Sequence, residues 1–253
     1  MNRSGLRLGK TPARPGAVKF RLSKYLDKTV LPKPPKEFGH ETLVSNYGTL
    51  GNDQWGDCVL AGGDHETMLW NAVAKHPVKF TDKNALADYS AITGFNPNDP
   101  NSDQGTDMQV AASYRRKTGL IDASGKRHKV AAYLAITAGD VTELKTAMYL
   151  FGAVGVGIEF PASAMDQFNA GKPWSVVSRS PIEGGHYIPG CAYRGGQIVV
   201  VTWGKLQRMT EGFYKKYCDE SVAYVSEEML TSGKSPEGFD LAALLADLKA
   251  LGN

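Results

Sequence analysis

A cysteine and a histidine far apart in the chain are the residues whose types and settings could do chemistry together. Cys58 follows the polar loop Asn52-Asp53-Gln54-Trp55-Gly56-Asp57 and opens an amphipathic stretch, so the pattern predicts a helix over about 59–74 with the thiol at its N-terminus. Unpaired N–H groups and the positive end of the helix dipole meet there, favouring thiolate and lowering a pKa of about 8.5 in free cysteine. His186 follows Gly184-Gly185 and leads an apolar run that reads as a strand. A base on a strand facing a thiol on a helix tip can take the thiol proton and let an acyl-thioester form. Taken singly, both residues have plainer readings: a small apolar residue starting a helix, and a turn residue beside glycine.

Positioning the pair falls to a helical first half and a strand-rich second half. Thr81 caps a helix over 82–93 with Leu86, Tyr89 and Ile92 along one side, and a third helix over 107–118 turns Met108, Ala111, Ala112 and Arg115 to the core before Gly119 stops it. Prolines among Asn and Asp make 95–104 a loop. Asp99, Asp103 and Asp107 lack the spacing and closing glutamate of a calcium loop, and His65-Glu66 is followed by Leu69 where a zinc helix needs a second histidine, so no metal site is expected. A strand is predicted over 129–136, and Asp140 with Glu143 makes a capping box for a helix ending at Phe151. Residues 153–160 alternate β-branched residues with Gly155 and Gly157, a strand that something large approaches closely. A helix over 162–169 precedes a loop whose Trp174 reads as core cover more than pocket wall. Strands over 187–193, 197–203 and 221–225, the first two joined by the hairpin signal Arg194-Gly195-Gly196, predict an antiparallel sheet with His186 at an edge. Residues 209–217 read as a short helix or irregular excursion, 232–238 as a loop, and 239–251 as an amphipathic helix.

At 253 residues and 42% hydrophobic, the chain can bury a large core as one domain or as two lobes around a cleft. No run of eighteen apolar residues occurs, and no apolar stretch follows the charges at the start, so neither a membrane span nor a signal peptide is expected and the chain is placed in a cytoplasm. Cys58, Cys191 and Cys218 are an odd number at wide spacing, fitting neither a disulfide framework nor a zinc site. Residues 1–36 carry ten Lys/Arg against Asp27, a charge of +9, which leaves −6 on the remainder. The expected organisation is an extended basic arm, 1–37, on a body, 38–253, divided into a mainly helical lobe (38–127), a mainly β lobe (128–230) and a C-terminal loop and helix (231–253). A basic arm on an acidic body points to docking on something negative, and the alternating Val18-Lys19-Phe20-Arg21-Leu22 suits addition to a sheet edge, its own or a neighbour's. Phe20 and Tyr25 are the only aromatic residues among these charges and form no stacking series, which weighs against nucleic acid, and a solvated tail is the plainer reading.

The order of these parts resembles the papain-like cysteine protease superfamily. The interval of 128 residues between Cys58 and His186 is close to the roughly 130 to 150 of such enzymes. Gly56-Asp57-Cys58 looks like their Gly-x-Cys lead into the central helix, and Val201-Thr202-Trp203-Gly204 looks like their Asn-Ser-Trp-Gly. More narrowly, Asn-Asp-Gln-x-Gly-Asp-Cys, Gly-Gly-His and Thr-Trp-Gly followed by Tyr-Cys-Asp-Glu resemble uncharacterised papain-like proteins of bacterial and prophage genomes. The resemblance implies an α+β, papain-like two-lobe fold: a helical lobe with a central Cys-bearing helix, and an antiparallel β-sheet lobe carrying His.

It also implies Cys58 as nucleophile and His186 as base, resting as a thiolate–imidazolium pair, with Gln54 or Asn52 donating to the oxyanion; Gln54 is favoured for its longer reach. Trp55, Trp174 and Trp203 are candidates for substrate contact. The family's asparagine behind the histidine is Val201 here, which cannot hold an imidazole, and adjacent Thr202 would serve only after a register shift or bulge.

The leading expectation is a thiol hydrolase of peptide or amide bonds, with a peptide or protein substrate and no cofactor. The alternative is a weak or inactive papain-fold structural protein of a phage or prophage particle, docking on assembly partners, other copies included, through residues 1–37.

Overall fold

A computed structural model describes residues 6–24, 33–226, 228–229 and 246. The predicted C-terminal loop and helix lie outside the described residues, apart from Ala246. In chain order the regular elements are β1 (Phe38–Gly39), α1 (Cys58–Val73), α2 (Asp82–Thr93), α3 (Met108–Lys117), β2 (Leu120–Ile121), β3 (Arg127–His128), β4 (Val130–Ile136), α4 (Val141–Phe151), β5 (Val154–Pro161), α5 (Ala162–Asn169), β6 (Ile182–Arg194), β7 (Gln197–Thr202), β8 (Lys205–Thr210), α6 (Glu211–Tyr217) and β9 (Cys218–Ser226).

Among the described residues the main sheet is antiparallel, in the order β4-β9-β5-β6-β7-β8, with β1 added to β6. Alternation along each strand sends residues to opposite faces. Ala132, Leu134, Val154, Val156, Ala223 and Val225 pack with the apolar residues of α4, α5 and α6. Tyr187, Cys191, Val222 and Tyr224 pack on the other face with α1 and α3. Gly155 and Gly157 belong to that second face. A Cβ on Gly155 would lie 2.1 Å from the Tyr187 hydroxyl, and one on Gly157 would lie 2.2 Å from Lys10 Cε. The close approach read from this strand is therefore a tyrosine at one glycine and an arm lysine at the other.

The structure corrects the sequence reading at four places. Residues 58–71 of α1 are all buried, so this helix is enclosed rather than amphipathic against solvent, and its polar side chains need internal partners. His65 Nε2 meets Gly48 O at 2.9 Å, while Glu66 takes the Arg115 guanidinium and, at 2.8 Å, the Tyr187 hydroxyl. The capping box at α4 is half-formed: Asp140 accepts from the Glu143 N–H, but the Glu143 carboxylate reaches instead to Thr137 N–H at 3.0 Å. A strand, β8, occupies 205–210, joined to β7 by Trp203-Gly204 with φ of 45° and 73°. A tryptophan in the left-handed region gives no sequence signal of a tight hairpin, unlike the Gly195-Gly196 turn between β6 and β7. Finally, His186 lies on β6, an interior strand of the sheet, opposite Ile158 of β5, although β6 runs past its pairing with β7 there, so the edge expected at His186 survives on that side alone.

The β9 end is fastened by His128, whose Nδ1 meets Glu228 at 2.5 Å and whose Nε2 meets Asp122 at 3.1 Å. Burial opposes protonation, but the two carboxylates outweigh it and raise the imidazole above 6.5, while both acids are lowered. A raised histidine stabilises the fold fully below its unfolded value and loses that contribution as pH rises through the folded one; the lowered acids lose theirs as pH falls. Thermal stability is thus expected to be greatest between about pH 5 and 6.5. His128→Gln should remove the alkaline-side decline and lower the melting midpoint by roughly 2–6 °C, as read by calorimetry across pH.

Candidate active site and the arm that covers it

Cys58 is the first residue of α1, with Asp57 at the N-cap. The backbone N–H of Tyr187 donates to Cys58 Sγ at 3.4 Å, and the Tyr187 hydroxyl donates to Glu66 further along α1. Helix and strand are thereby tied at two heights, and the residue just before Tyr187 is His186. Its Nε2 lies 2.8 Å from Thr202 Oγ1, and its ring stacks on Trp203 at 4.5 Å and 18°. Phe160 meets the ring edge-on at 5.7 Å. His186 Nδ1 is buried without a hydrogen-bond partner among the described residues.

Thr202 reaches the imidazole through the irregularity that the sequence reading named as its condition. The β6–β7 pairing runs Tyr193↔Ile198 and Ala192↔Val199, then slips to Gly190↔Val200, leaving Cys191 as the extra residue of a bulge. Continued past the slip, Thr202 falls level with Ile188, on the face that also carries His186. Without it that face would carry Val201. Instead Val201 packs with the α1 side of the core.

The basic arm crosses directly above these groups. Arg7 N–H donates to Asn52 O at 3.1 Å, and Trp203 Nε1 donates to Arg7 O at 3.0 Å. The N–H groups of Gly9 and Lys10 reach Gly185 O at 3.2 and 3.0 Å; Thr106 donates to Gly9 O at 2.7 Å and accepts from Thr11 N–H at 3.1 Å. A Cβ on Gly9 would lie 1.8 Å from Gly56 O, so only glycine fits under the loop before Cys58. Arg14 grips Asp107, which caps α3, and Phe20 O accepts from Ala135 N–H at 2.7 Å on edge strand β4. Beside the seated arm a cleft of 720 Å³ remains open, edged by Ile182, Glu183 and Glu159.

Covering the site changes its electrostatics. Cys58 and His186 are each 1% exposed. Burial pushes the thiol up to about 12, against the hydrogen bond from the Tyr187 amide, and burial pulls the imidazole down to about 3. Burial also drives the adjacent Asp57 carboxyl well above the usual range. The expected thiolate–imidazolium pair is thus replaced by a neutral thiol and a neutral imidazole. Desolvation outweighs the helix dipole while the arm is seated.

Of the oxyanion candidates, Gln54 has an exposed side chain, and its backbone O accepts from Arg7 Nε at 3.2 Å. Asn52 is buried under the arm, its amide donating to Trp55 O at 2.9 Å. Trp203 lines the covered site, whereas Trp55 packs on Phe95. Trp174 is completely buried, donates to Ala164 O at 2.9 Å and stacks on Phe213, which removes it from the substrate-contact candidates. Asp103 braces the loop through Gly56 N–H and the Tyr89 hydroxyl, and Asp99 caps the turn Pro100–Ser102. Gly9, Lys10, Thr106, Asp219 and Glu220 adjoin the covered groups and were not among the residues predicted for the site; Gly157 and the Tyr-Cys-Asp-Glu run were the sequence signals near them.

No protein-family model and no curated protein sequence matches the chain. Solved structures do. Xylellain, a cysteine protease from Xylella fastidiosa, superposes with a TM-score of 0.68 at 14% identity over 89% of this chain and 98% of that one. Procathepsin B S9 from Trypanosoma congolense gives 0.61 at 10% identity, covering 88% and 87% of the two chains. Digestive procathepsin L 3 of Tenebrio molitor gives 0.57 at 16%, covering 88% and 76%. The fold is that of the papain-like cysteine proteases, α+β with a helical region against an antiparallel sheet.

Proposed function

We propose that the chain is a cysteine hydrolase of peptide or amide bonds, working through Cys58 and His186 and held closed by its own arm. The observation that carries this reading is the setting of His186. Thr202 holds Nε2, Trp203 backs the ring, and Nδ1 is left unpartnered one residue from the backbone N–H that touches the sulfur. With Nε2–H donating to Thr202 Oγ1, Nδ1 is the nitrogen left to take the thiol proton once the arm leaves; in the closed chain it makes no hydrogen bond to Sγ.

With a substrate in place of the arm, Cys58 Sγ attacks the carbonyl carbon and its proton passes to His186. Charge then develops on the carbonyl oxygen. The buried Asn52 amide is better placed than exposed Gln54 to donate to that oxygen, alongside the Cys58 N–H at the helix start. Imidazolium protonates the leaving amine, and water, deprotonated by the same imidazole, releases the acyl group from sulfur. Arm residues Arg7, Gly9, Lys10, Thr11, Arg14, Phe20 and Arg21 meet the chain's own body, which favours this reading over docking on a particle.

The test is hydrolysis of a mixed peptide library by a chain whose arm has been displaced, followed by mass spectrometry. Cleavage that disappears with Cys58→Ala, while Cys218→Ala retains it, is the expected result. Cleavage that survives Cys58→Ala removes the proposal.

A further inference from the structure

The arm is a peptide already lying in the cleft, and its side chains report what the cleft walls accept. Lys10 is the informative one. Its backbone is paired on one side with Gly185 and, through its neighbours Gly9 and Thr11, on the other with Thr106. Main-chain pairing on both sides is how an extended peptide is held while side-chain pockets supply selectivity. The Lys10 side chain is wholly buried, with Nζ 2.7 Å from Asp219 Oδ2, 3.1 Å from Glu220 Oε1 and 2.9 Å from Thr11 O. Gly157 opens the space for it: a Cβ there would meet Lys10 Cε at 2.2 Å, Met108 Sδ at 2.8 Å and Glu220 Cγ at 2.9 Å. Outside this pocket the cleft edge carries exposed Glu159 and Glu183, with no cation among its described lining residues except Lys10 itself.

We infer that this pocket is a specificity subsite, and that the hydrolase selects peptides placing lysine or arginine against Asp219 and Glu220. The inference rests on the hydrolase reading above. Its physical basis is the state of the pocket when empty of a cation. Two carboxylates, each about one-fifth exposed at the side chain, face a cavity floored by Gly157 and Met108. Asp219 Oδ1 has no hydrogen-bond partner among the described residues even with Lys10 in place. An apolar side chain would displace water from both acids and return no counter-charge, which is the costly half of a broken buried pair. A site built on charge and hydrogen bonds rejects a ligand lacking them more strongly than an apolar pocket rejects a wrong size. Partial exposure softens the effect, so discrimination of roughly tenfold or more is expected.

Two measurements on the full chain decide the matter. In the first, Lys10 is replaced by Arg, Met or Glu, and the rate of Cys58 alkylation, mapped by mass spectrometry, reports how well the arm stays seated. Lys10→Arg should stay within about threefold of the parent, while Lys10→Met and Lys10→Glu react at least about tenfold faster. Adding Asp219→Asn and Glu220→Gln to the Lys10→Met chain should slow alkylation again. A Met chain as well protected as the parent overturns the subsite. In the second, the arm-displaced chain is given peptides with Lys, Arg, Met or Glu moved through each position around the scissile bond. Lys and Arg should raise kcat/KM at one position by about tenfold. Equal or apolar-preferring cleavage overturns the inference. Intact arm ranking with no cleavage of any peptide sinks the hydrolase reading, and the substrate claim with it, leaving the pocket as a lock for the arm alone.

Discussion

Gly9→Val is expected to raise the rate of Cys58 alkylation by iodoacetamide at neutral pH by about two orders of magnitude. The clash it introduces is between backbones: any Cβ on residue 9 would sit 1.8 Å from Gly56 O, and no rotamer change relieves that. To accommodate valine the arm must leave Gly185 and Thr106, giving up the hydrogen bonds of Gly9 and loosening those of Lys10 and Thr11. Three such bonds at about 1 kcal/mol each correspond to roughly a hundredfold shift in the seated fraction. Exposure has a second effect in the same direction. The thiol held near 12 and the imidazole held near 3 are both displaced by burial, so water returning to the site lowers one and raises the other. Reactivity at neutral pH therefore gains from access and from ionisation together. Cys191 serves as internal control, being buried in the sheet away from the arm with its thiol donating to Val199 O at 3.3 Å. A Gly9→Val chain in which Cys58 reacts no faster than Cys191 would show that the arm is not what seals the sulfur.

Much of this architecture was legible in the sequence, and the failures have distinct physical causes. Local signals carried through where they depended on a few adjacent residues: Thr81 caps α2 with a full box, Asp107 and Asp140 cap α3 and α4, and Gly195-Gly196 turns the β6–β7 hairpin. Cys58 and His186 were placed on the right kinds of element for the same reason. What failed depended on the rest of the chain. Reading α1 as amphipathic implied a wet side, yet partners such as Gly48 for His65 and Arg115 for Glu66, distant in sequence, let that side be buried. The helix-dipole argument for a thiolate was sound locally but ignored residues 7–11, nearly fifty positions earlier, which help exclude the water that would solvate a thiolate. The arm's destination was invisible for a related reason. Its charge pattern pointed to docking on something negative outside the chain or to a solvated tail, whereas Lys10 and Arg14 pair with the chain's own Asp219, Glu220 and Asp107. Glycine 157 pointed to a close approach without naming the lysine that makes it.

The bulge at Cys191 makes the second large prediction, because it decides which of two adjacent residues can hold the His186 imidazole. In an arm-displaced chain, Thr202→Val should lower kcat/KM by about 30- to 100-fold while leaving KM within a few-fold. The change removes one hydrogen bond to the imidazole that the proposed reaction would charge, worth about 2–3 kcal/mol. The pH profile discriminates this from general damage. Without a partner on Nε2 the imidazolium is less favoured, so the limb of the profile that reports His186 should move to lower pH. Thr202→Asn, which restores an acceptor on the same face, should recover most of the rate. Val201→Asn should recover none in the Thr202→Val background, although it installs the family's residue at the family's position, because the slip between Gly190 and Ala192 turns residue 201 to the α1 side. There its amide would be buried among Tyr187, Cys191 and Val222, at a cost of about 1–3 kcal/mol in stability. Recovery by Val201→Asn rather than by Thr202→Asn would mean that the strands realign when the arm leaves, and that the hydrogen bond between Thr202 and His186 belongs to the closed chain only.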